Sequence, residues 1–158
     1  MIAELGLFSL VLALLSSIML ALIPLAGLQL KRVHWMSAAS TYVVCQFFFI
    51  ALSYLFLTLC FLKNDFSVIY VLKNSSISLP WFYKLCAVWG GHEGSMLLWV
   101  AILSFWTLLV AFCSSGLDRE MRTRVLVVLG WLSIGFILFL LTTSNPFLRQ
   151  FHVLDTQG

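Results

Sequence analysis

Long runs of apolar residues alternate with shorter polar stretches along the chain. Four runs, at about residues 5–28, 42–62, 96–113 and 125–143, contain no Asp, Glu, Lys or Arg. Each is close to the length of about 20 residues with which an α-helix crosses a bilayer. The pattern therefore predicts an all-α integral membrane protein with about four transmembrane helices, organised as a single transmembrane domain over residues 1–158.

The longest polar stretch, residues 63–95, contains signs of two short elements. Residues 66–71 partly alternate and are rich in β-branched and aromatic side chains, which predicts a short extended segment. Further on, apolar side chains recur on one face of a short helix at Trp81, Leu85, Val88 and Trp89. We expect this helix to lie in the membrane interface before the third span, with Pro80, Trp81 and Tyr83 at the boundary. Alternatively, the segment forms the membrane-proximal end of a longer third span.

The composition agrees with a membrane protein. Hydrophobic residues make up 62% of the chain and charged residues only 9%, which is too few to cover a globular surface. The net charge of +3 comes from scattered loop residues, so nucleic-acid binding is not indicated. Because the spans lack ionisable carboxylates and cations, an ion pump or proton relay is also disfavoured. No C-x-x-C motif occurs, and packing is the predicted role of the cysteines, which are Cys45, Cys60, Cys86 and Cys113.

Basic residues in the loops predict the orientation. The loops at residues 29–41 and 114–124 are short and basic; they contain Lys31, Arg32, Arg119, Arg122 and Arg124. The basic residues on the opposite side, Lys63, Lys73, Lys84 and Arg149, are spread over a longer length. Since short cytoplasmic loops are enriched in Lys and Arg, the loops 29–41 and 114–124 are predicted to be cytoplasmic. The N-terminus and the loop 63–95 are then predicted to face outward.

One glycine-rich segment places an ionisable pair beside the third apolar run. It consists of Trp89, Gly90, Gly91, His92, Glu93, Gly94 and Ser95, with Trp99 one turn further on. Glycine permits close approach of the backbone, so the segment is predicted to have a specific shape. Ser95 is predicted to cap the third helix, with Glu93 near the positive end of its dipole. Trp99 shares a helical face with Trp106, which predicts packing or interfacial anchoring, or alternatively a flat surface for a planar ligand.

This segment resembles the N-terminal part of the CcmF family, the haem lyase component of cytochrome c maturation. Two further stretches resemble the family in matching order, at residues 79–84 and 143–147, and the resemblance begins at residues 4–6. The family's Trp-rich segment and histidine haem ligands are expected beyond residue 158. We therefore expect the chain to be an N-terminal fragment or a split subunit of the longer family architecture.

The resemblance implies a component of the haem lyase that assists haem handling and the covalent attachment of haem to apocytochrome c. The implied location is the outer face of a bacterial inner membrane or of the mitochondrial inner membrane. Haem is the implied cofactor, and its axial ligands are expected outside this chain. The implied partners are a haem chaperone, a protein that handles the thiols of apocytochrome c, and apocytochrome c itself. The chain by itself is expected to be inactive and contains no predicted catalytic residue. A transporter subunit that recognises a non-haem substrate at the glycine-rich turn is the alternative from another class.

Three roles are open for the ionisable pair. His92 could be an axial ligand of haem or a metal ligand, or act with Glu93 as a general acid and base. In the third role the pair holds the local structure and contacts haem or a partner protein. The resemblance favours the third role, because the axial ligands of the family are expected on later helices. His152 in the C-terminal tail has no neighbouring ligand, and we do not expect it to bind haem.

Overall fold

Six helices form the part of the chain that the computed structural model describes, residues 1–114 and 116–149. They are α1 Ile2–Gln29, α2 Val33–Leu62, α3 Ile69–Asn74, α4 Trp81–Ala87, α5 His92–Cys113 and α6 Arg119–Thr142. The helices α1, α2, α5 and α6 are long and apolar enough to cross a membrane. This confirms the predicted all-α architecture with four transmembrane helices and a short helix, α4, before the third. His152 lies outside the described residues.

The four spanning helices close into a bundle. α1 packs against both α2 and α6, and α5 in turn contacts α2 and α6. We call the end with the α1–α2 turn and the α5–α6 connection the turn end. The opposite end, with residues 63–91 and 143–149, is called the loop end. The glycine-rich segment lies at the loop end.

Small side chains share the interior of the bundle with large apolar ones such as Leu10 and Leu20. The buried positions of α1 include Ala13, Ser17 and Ala21. A Cβ added at Gly130 of α6 would lie 3.2 Å from the backbone nitrogen of Ala21. Small residues allow such close approach between helices in a membrane, where burial of apolar surface does not drive association. The outer faces carry exposed aromatic side chains such as that of Phe48.

Among the described residues, one side-chain hydrogen bond joins two spanning helices directly. The Ser53 hydroxyl of α2 donates to the Gly6 carbonyl of α1 at 3.1 Å. We predict that Ser53→Ala lowers the free energy of unfolding by about 0.6 kcal/mol, the average for interhelical bonds in membranes. Denaturation in mixed micelles, followed by circular dichroism, measures it. Ser17→Ala is the matched control, since the buried Ser17 hydroxyl bonds the Ala13 carbonyl of its own helix at 2.8 Å. An equal loss in both variants would contradict the assignment to the interhelical bond.

All four spanning helices begin earlier than the apolar runs do, and α2 and α5 show why. α2 begins at Val33, directly after a tight turn. In that turn Lys31 adopts a left-handed conformation (φ 51°), and the Arg32 N–H donates to the Gly27 carbonyl at 2.9 Å. α5 begins at His92, after the extended residue Gly91. Polar residues are compatible with the first turn of a spanning helix because that turn reaches the interface. The hydropathy pattern therefore underestimates the length of both helices.

The expectation for residues 66–71 is wrong. Its second half, residues 69–71, belongs to α3, and within the described residues Val68 alone makes a β-bridge, with Arg149. An extended segment needs a partner strand along its length, whereas a helix satisfies its own backbone groups. The Leu72 N–H accordingly bonds the Val68 carbonyl at 3.0 Å. The helix also buries Tyr70, which the extended prediction did not anticipate.

The helix α4 is separate from the third span, but the residues that it buries differ from those on the predicted apolar face. Val88 and Lys84 are buried, whereas Trp81 and Trp89 are exposed. The Lys84 ammonium donates to the Asn64 side-chain oxygen at 2.7 Å, which compensates for its burial. A basic side chain thus occupies a position that hydropathy alone assigns to the exterior.

The segment after α6 folds back over the loop end. Phe147 is buried and packs on Gly6, where an added Cβ would collide with its ring. The Leu148 carbonyl accepts from the Ile69 N–H at 3.0 Å, and Arg149 pairs with Glu4 at 3.2 Å. These contacts join the N-terminus of α1, the start of α3 and the end of α6.

Candidate functional site

A tight turn at residues 88–91 connects α4 to α5 and carries the glycine-rich segment. The Trp89 N–H bonds the Cys86 carbonyl at 3.3 Å, and the Gly90 N–H bonds the Ala87 carbonyl at 3.1 Å. His92 and Glu93 therefore lie in the first turn of α5. The expectation that Ser95 caps this helix is wrong, because its hydroxyl donates back to the His92 carbonyl at 2.9 Å.

The Tyr70 hydroxyl of α3 holds this turn in place. It donates to the Val88 carbonyl at 2.9 Å and accepts from the Gly91 N–H at 3.1 Å. Its ring is buried and lies edge-on to Phe61 of α2, with centroids 5.4 Å apart. The Asn74 side chain bonds the Tyr70 carbonyl at 3.0 Å. Tyr70 thus connects the bundle core to the backbone on both sides of the turn.

Burial raises the pKa of Tyr70, and the nearby charge of Glu93 raises it further, although hydrogen bonds from the backbone of Gly91 and Gly94 act in the opposite direction. The ordinary pKa of a tyrosine is already 10.0. The phenol therefore keeps its proton at physiological pH and can donate to Val88.

Two glycines of the segment are required by the close approach of Tyr70. A Cβ at Gly94 would collide with the Val88 carbonyl oxygen and lie 2.5 Å from the Tyr70 hydroxyl. A Cβ at Gly91 would lie 2.6 Å from the Tyr70 ring. At Gly90 the nearest atom would be the Ala87 carbonyl oxygen at 3.4 Å, an ordinary contact. Since no glycine in the described residues has positive φ, the segment needs glycine for space and not for backbone conformation.

His92 is exposed at the mouth of α5, and its ring lies edge-on to Phe139 of α6 with centroids 6.4 Å apart. Glu93 is half-buried. Within residues 1–114 and 116–149, no hydrogen bond or ion pair joins the two side chains. The geometry therefore gives the acid–base interpretation no support, and it leaves the His92 ring free for contact.

An apolar groove of about 460 Å³ lies between α5 and α6 near His92. It is lined by Met96, Trp131, Leu132, Gly135, Phe136 and Phe139. Aromatic walls of this kind suit contact with a planar apolar group. The described residues contain no group of three His, Cys, Asp or Glu side chains arranged to hold a metal ion, and the groove lining supplies no second histidine opposite His92. The site therefore fits a contact surface for haem but not a complete set of axial ligands.

The remaining predicted residues are exposed around this site. Trp99 is 68% exposed and Trp106 59%, so both face outward from α5 and neither belongs to the core. Pro80 precedes the first turn of α4, followed by the exposed side chains of Trp81 and Tyr83. Trp81 and Tyr83 form an apolar surface at the loop end, as interfacial anchoring requires.

Fold and site together define a multi-pass membrane protein that presents a rigid, glycine-rich turn with an exposed histidine at one end of its bundle. No family model matches the sequence. The cytochrome c-type biogenesis protein CcmF of Pseudomonas aeruginosa is 49% identical over 149 residues, which are 94% of this chain and 23% of that protein. The CcmF proteins of Haemophilus influenzae and Escherichia coli are 45% and 41% identical over the whole chain, which corresponds to 24% of each relative.

A solved structure, described as cytochrome c haem lyase CcmF, superposes with a TM-score of 0.87 at 29% identity. The match covers 93% of this chain and 25% of that structure. The chain belongs to the CcmF family and corresponds to the N-terminal part of its members. It spans about a quarter of the length of the relatives that it matches.

Sequence reasoning identified the glycine-rich segment but missed Tyr70. The available signal was weak, since Tyr70 appears only as one aromatic residue in a segment assigned to extended structure. Its contact with Gly91 spans 21 positions of the chain and depends on the packing of α3.

Proposed function

We propose that this chain is part of the membrane haem lyase that attaches haem covalently to apocytochrome c. The observation that carries the proposal is the turn at residues 88–91, which Tyr70 holds by two hydrogen bonds and which presents His92 beside an aromatic groove between α5 and α6. Its relatives are named as cytochrome c biogenesis proteins, and the structural neighbour as a haem lyase. Membership of the family supports this role over that of a transporter subunit.

The proposed site faces the outer side of the membrane. The basic residues Lys31, Arg32 and Arg119 lie in short connections at the turn end, which supports a cytoplasmic position for that end. The loop end, with the aromatic side chains of α4, then meets the compartment in which cytochrome c is assembled. There it would meet a haem chaperone, a protein that keeps the apocytochrome thiols reduced, and apocytochrome c.

His92 and the surrounding aromatic residues act as a contact surface and not as an axial ligand in this proposal. Haem, when bound to the assembled lyase, supplies the vinyl groups that form thioethers with the cysteines of apocytochrome c. The Tyr70 hydroxyl fixes the turn, Glu93 lies near the positive end of α5, and Trp89 and Trp99 extend the surface. Catalytic residues are not assigned to this chain.

We predict that His92→Ala reduces cytochrome c maturation several-fold but leaves the haem absorption bands of the assembled complex unchanged. An axial ligand sets the electronic state of the iron, so its loss would shift those bands, whereas loss of a contact would not. The measurement combines a haem stain of mature cytochrome c in cells with the absorption spectrum of the purified complex. His34→Ala is the control, because His34 is exposed near the turn end. Altered absorption bands in His92→Ala would show that His92 ligates the haem iron. Normal maturation in this variant would show that cytochrome c maturation does not need His92.

A further inference from the structure

A second cleft, of about 610 Å³, lies at the turn end between the α1–α2 turn and the start of α6. Its lining combines charged side chains, mostly basic, with apolar ones. The basic side chains are those of Lys31, Arg119 and Arg122, and the apolar ones are those of Val33, Met36 and Leu117. This amphipathic character distinguishes the cleft from the groove beside His92.

Two elements of the backbone supply the three cations of the cleft. Lys31 lies in the tight turn that the Arg32–Gly27 hydrogen bond closes. Arg119 and Arg122 are three positions apart in the first turn of α6, which places them on neighbouring parts of the helix surface. The cleft is therefore built from parts of two separate connections.

The cations of the cleft are available for a ligand. Within the described residues, none of Lys31, Arg119 and Arg122 forms an ion pair within 4.0 Å. The lining also holds two carboxylates, Asp118 and Glu120, and Glu120 lies 3.8 Å from Arg124 outside the lining, so three cations face two carboxylates. The cleft accordingly has a positive excess and favours an anion.

We propose that this cleft binds the headgroup of an anionic phospholipid. Its phosphate would lie on Arg119, Arg122 and Lys31, since guanidinium groups match the geometry of phosphate oxygens. Its glycerol and upper acyl carbons would lie on Val33, Met36 and Leu117. A soluble phosphate would use only the basic side chains, whereas an amphiphile also uses the apolar ones, and the cleft is located where a spanning helix leaves the membrane. The proposal is independent of the function proposed for the loop end.

The test uses the full chain in phosphatidylcholine nanodiscs that contain a minor fraction of phosphatidylglycerol. Native mass spectrometry after gentle release measures how much of each lipid remains bound. We expect enrichment of phosphatidylglycerol, and a decrease of about fivefold in its occupancy in Arg122→Gln, the effect of one basic residue near an anionic surface. Arg32→Gln is the matched control, because Arg32 is next to Lys31 but lies over the Trp35 ring at 5.6 Å and does not line the cleft.

Three results would overturn the proposal. Equal retention of the two lipids would show that the cleft has no preference for anions. An equal decrease in Arg32→Gln would show a general effect of charge at this end of the bundle. Displacement of phosphatidylglycerol by inorganic phosphate at matched concentration would show that the apolar side chains of the cleft contribute nothing. Circular dichroism of both variants verifies that each remains folded.

Discussion

Gly94→Ala will unfold the loop end and abolish cytochrome c maturation. Alanine normally stabilises a helix by up to about 1 kcal/mol relative to glycine. Here the added Cβ would collide with the Val88 carbonyl oxygen and with the Tyr70 hydroxyl. A backbone atom cannot rotate away as a flexible side chain can, so we expect a net loss of about 3 kcal/mol, at the upper end of overpacking effects. Denaturation in mixed micelles measures the stability, and a haem stain of cells measures maturation.

Gly90→Ala is the matched control for this prediction. Its Cβ would meet the Ala87 carbonyl oxygen at 3.4 Å, which is an ordinary van der Waals contact. We expect a change in stability of at most about 0.5 kcal/mol, as for other surface substitutions. Equal stability of the two variants would mean that the turn adjusts freely and that the approach of Tyr70 does not restrict it.

Tyr70→Phe is expected to have the second largest effect. The substitution keeps the ring against Phe61 but leaves the Val88 carbonyl and the Gly91 N–H without their partner. A buried polar group without a partner costs about 1–3 kcal/mol, so we expect a loss of about 2 kcal/mol. Maturation should fall as well, because His92 follows the turn directly. The same unfolding and haem-stain assays measure both effects.

Tyr83→Phe removes the same atom from an exposed ring and is the control. It should leave both stability and maturation unchanged. Should Tyr70→Phe destabilise the bundle while maturation remains normal, the hydroxyl would be structural only, and the turn would not need a fixed position for function. A normal stability in Tyr70→Phe would instead show that water replaces the hydroxyl.

The spanning helices could be predicted because a bilayer excludes charged side chains from long segments. That constraint acts on each segment separately, so the sequence pattern reveals it. The hydropathy pattern did not predict the start of α5 at His92, since the first turn of a spanning helix tolerates polar residues at the interface. The helical state of Ile69–Asn74 also escaped, because it depends on burial of Tyr70 against Phe61 and not on local preference.

The glycine-rich segment was recognisable as a site, but the reason for its glycines was not. Backbone conformation and close approach both select glycine, and the sequence does not distinguish them. The structure assigns Gly91 and Gly94 to close approach through a residue about 20 positions away in the chain. The outward orientation of this end follows from loop charges alone and remains a prediction.

The packing of α6 against α1 has a consequence for the order of events during synthesis. α1 and α2 can pair as soon as both have left the ribosome. The face of α1 that packs against Gly130 has no partner until α6 is made. Until then, lipid or a membrane insertase has to shield the small residues of that face. The turn held by Tyr70 depends on contacts that are closer in sequence, so it can form before the bundle closes. The nascent chain would thus form the turn held by Tyr70 first, and the aromatic groove and the complete transmembrane core only after α6 is made.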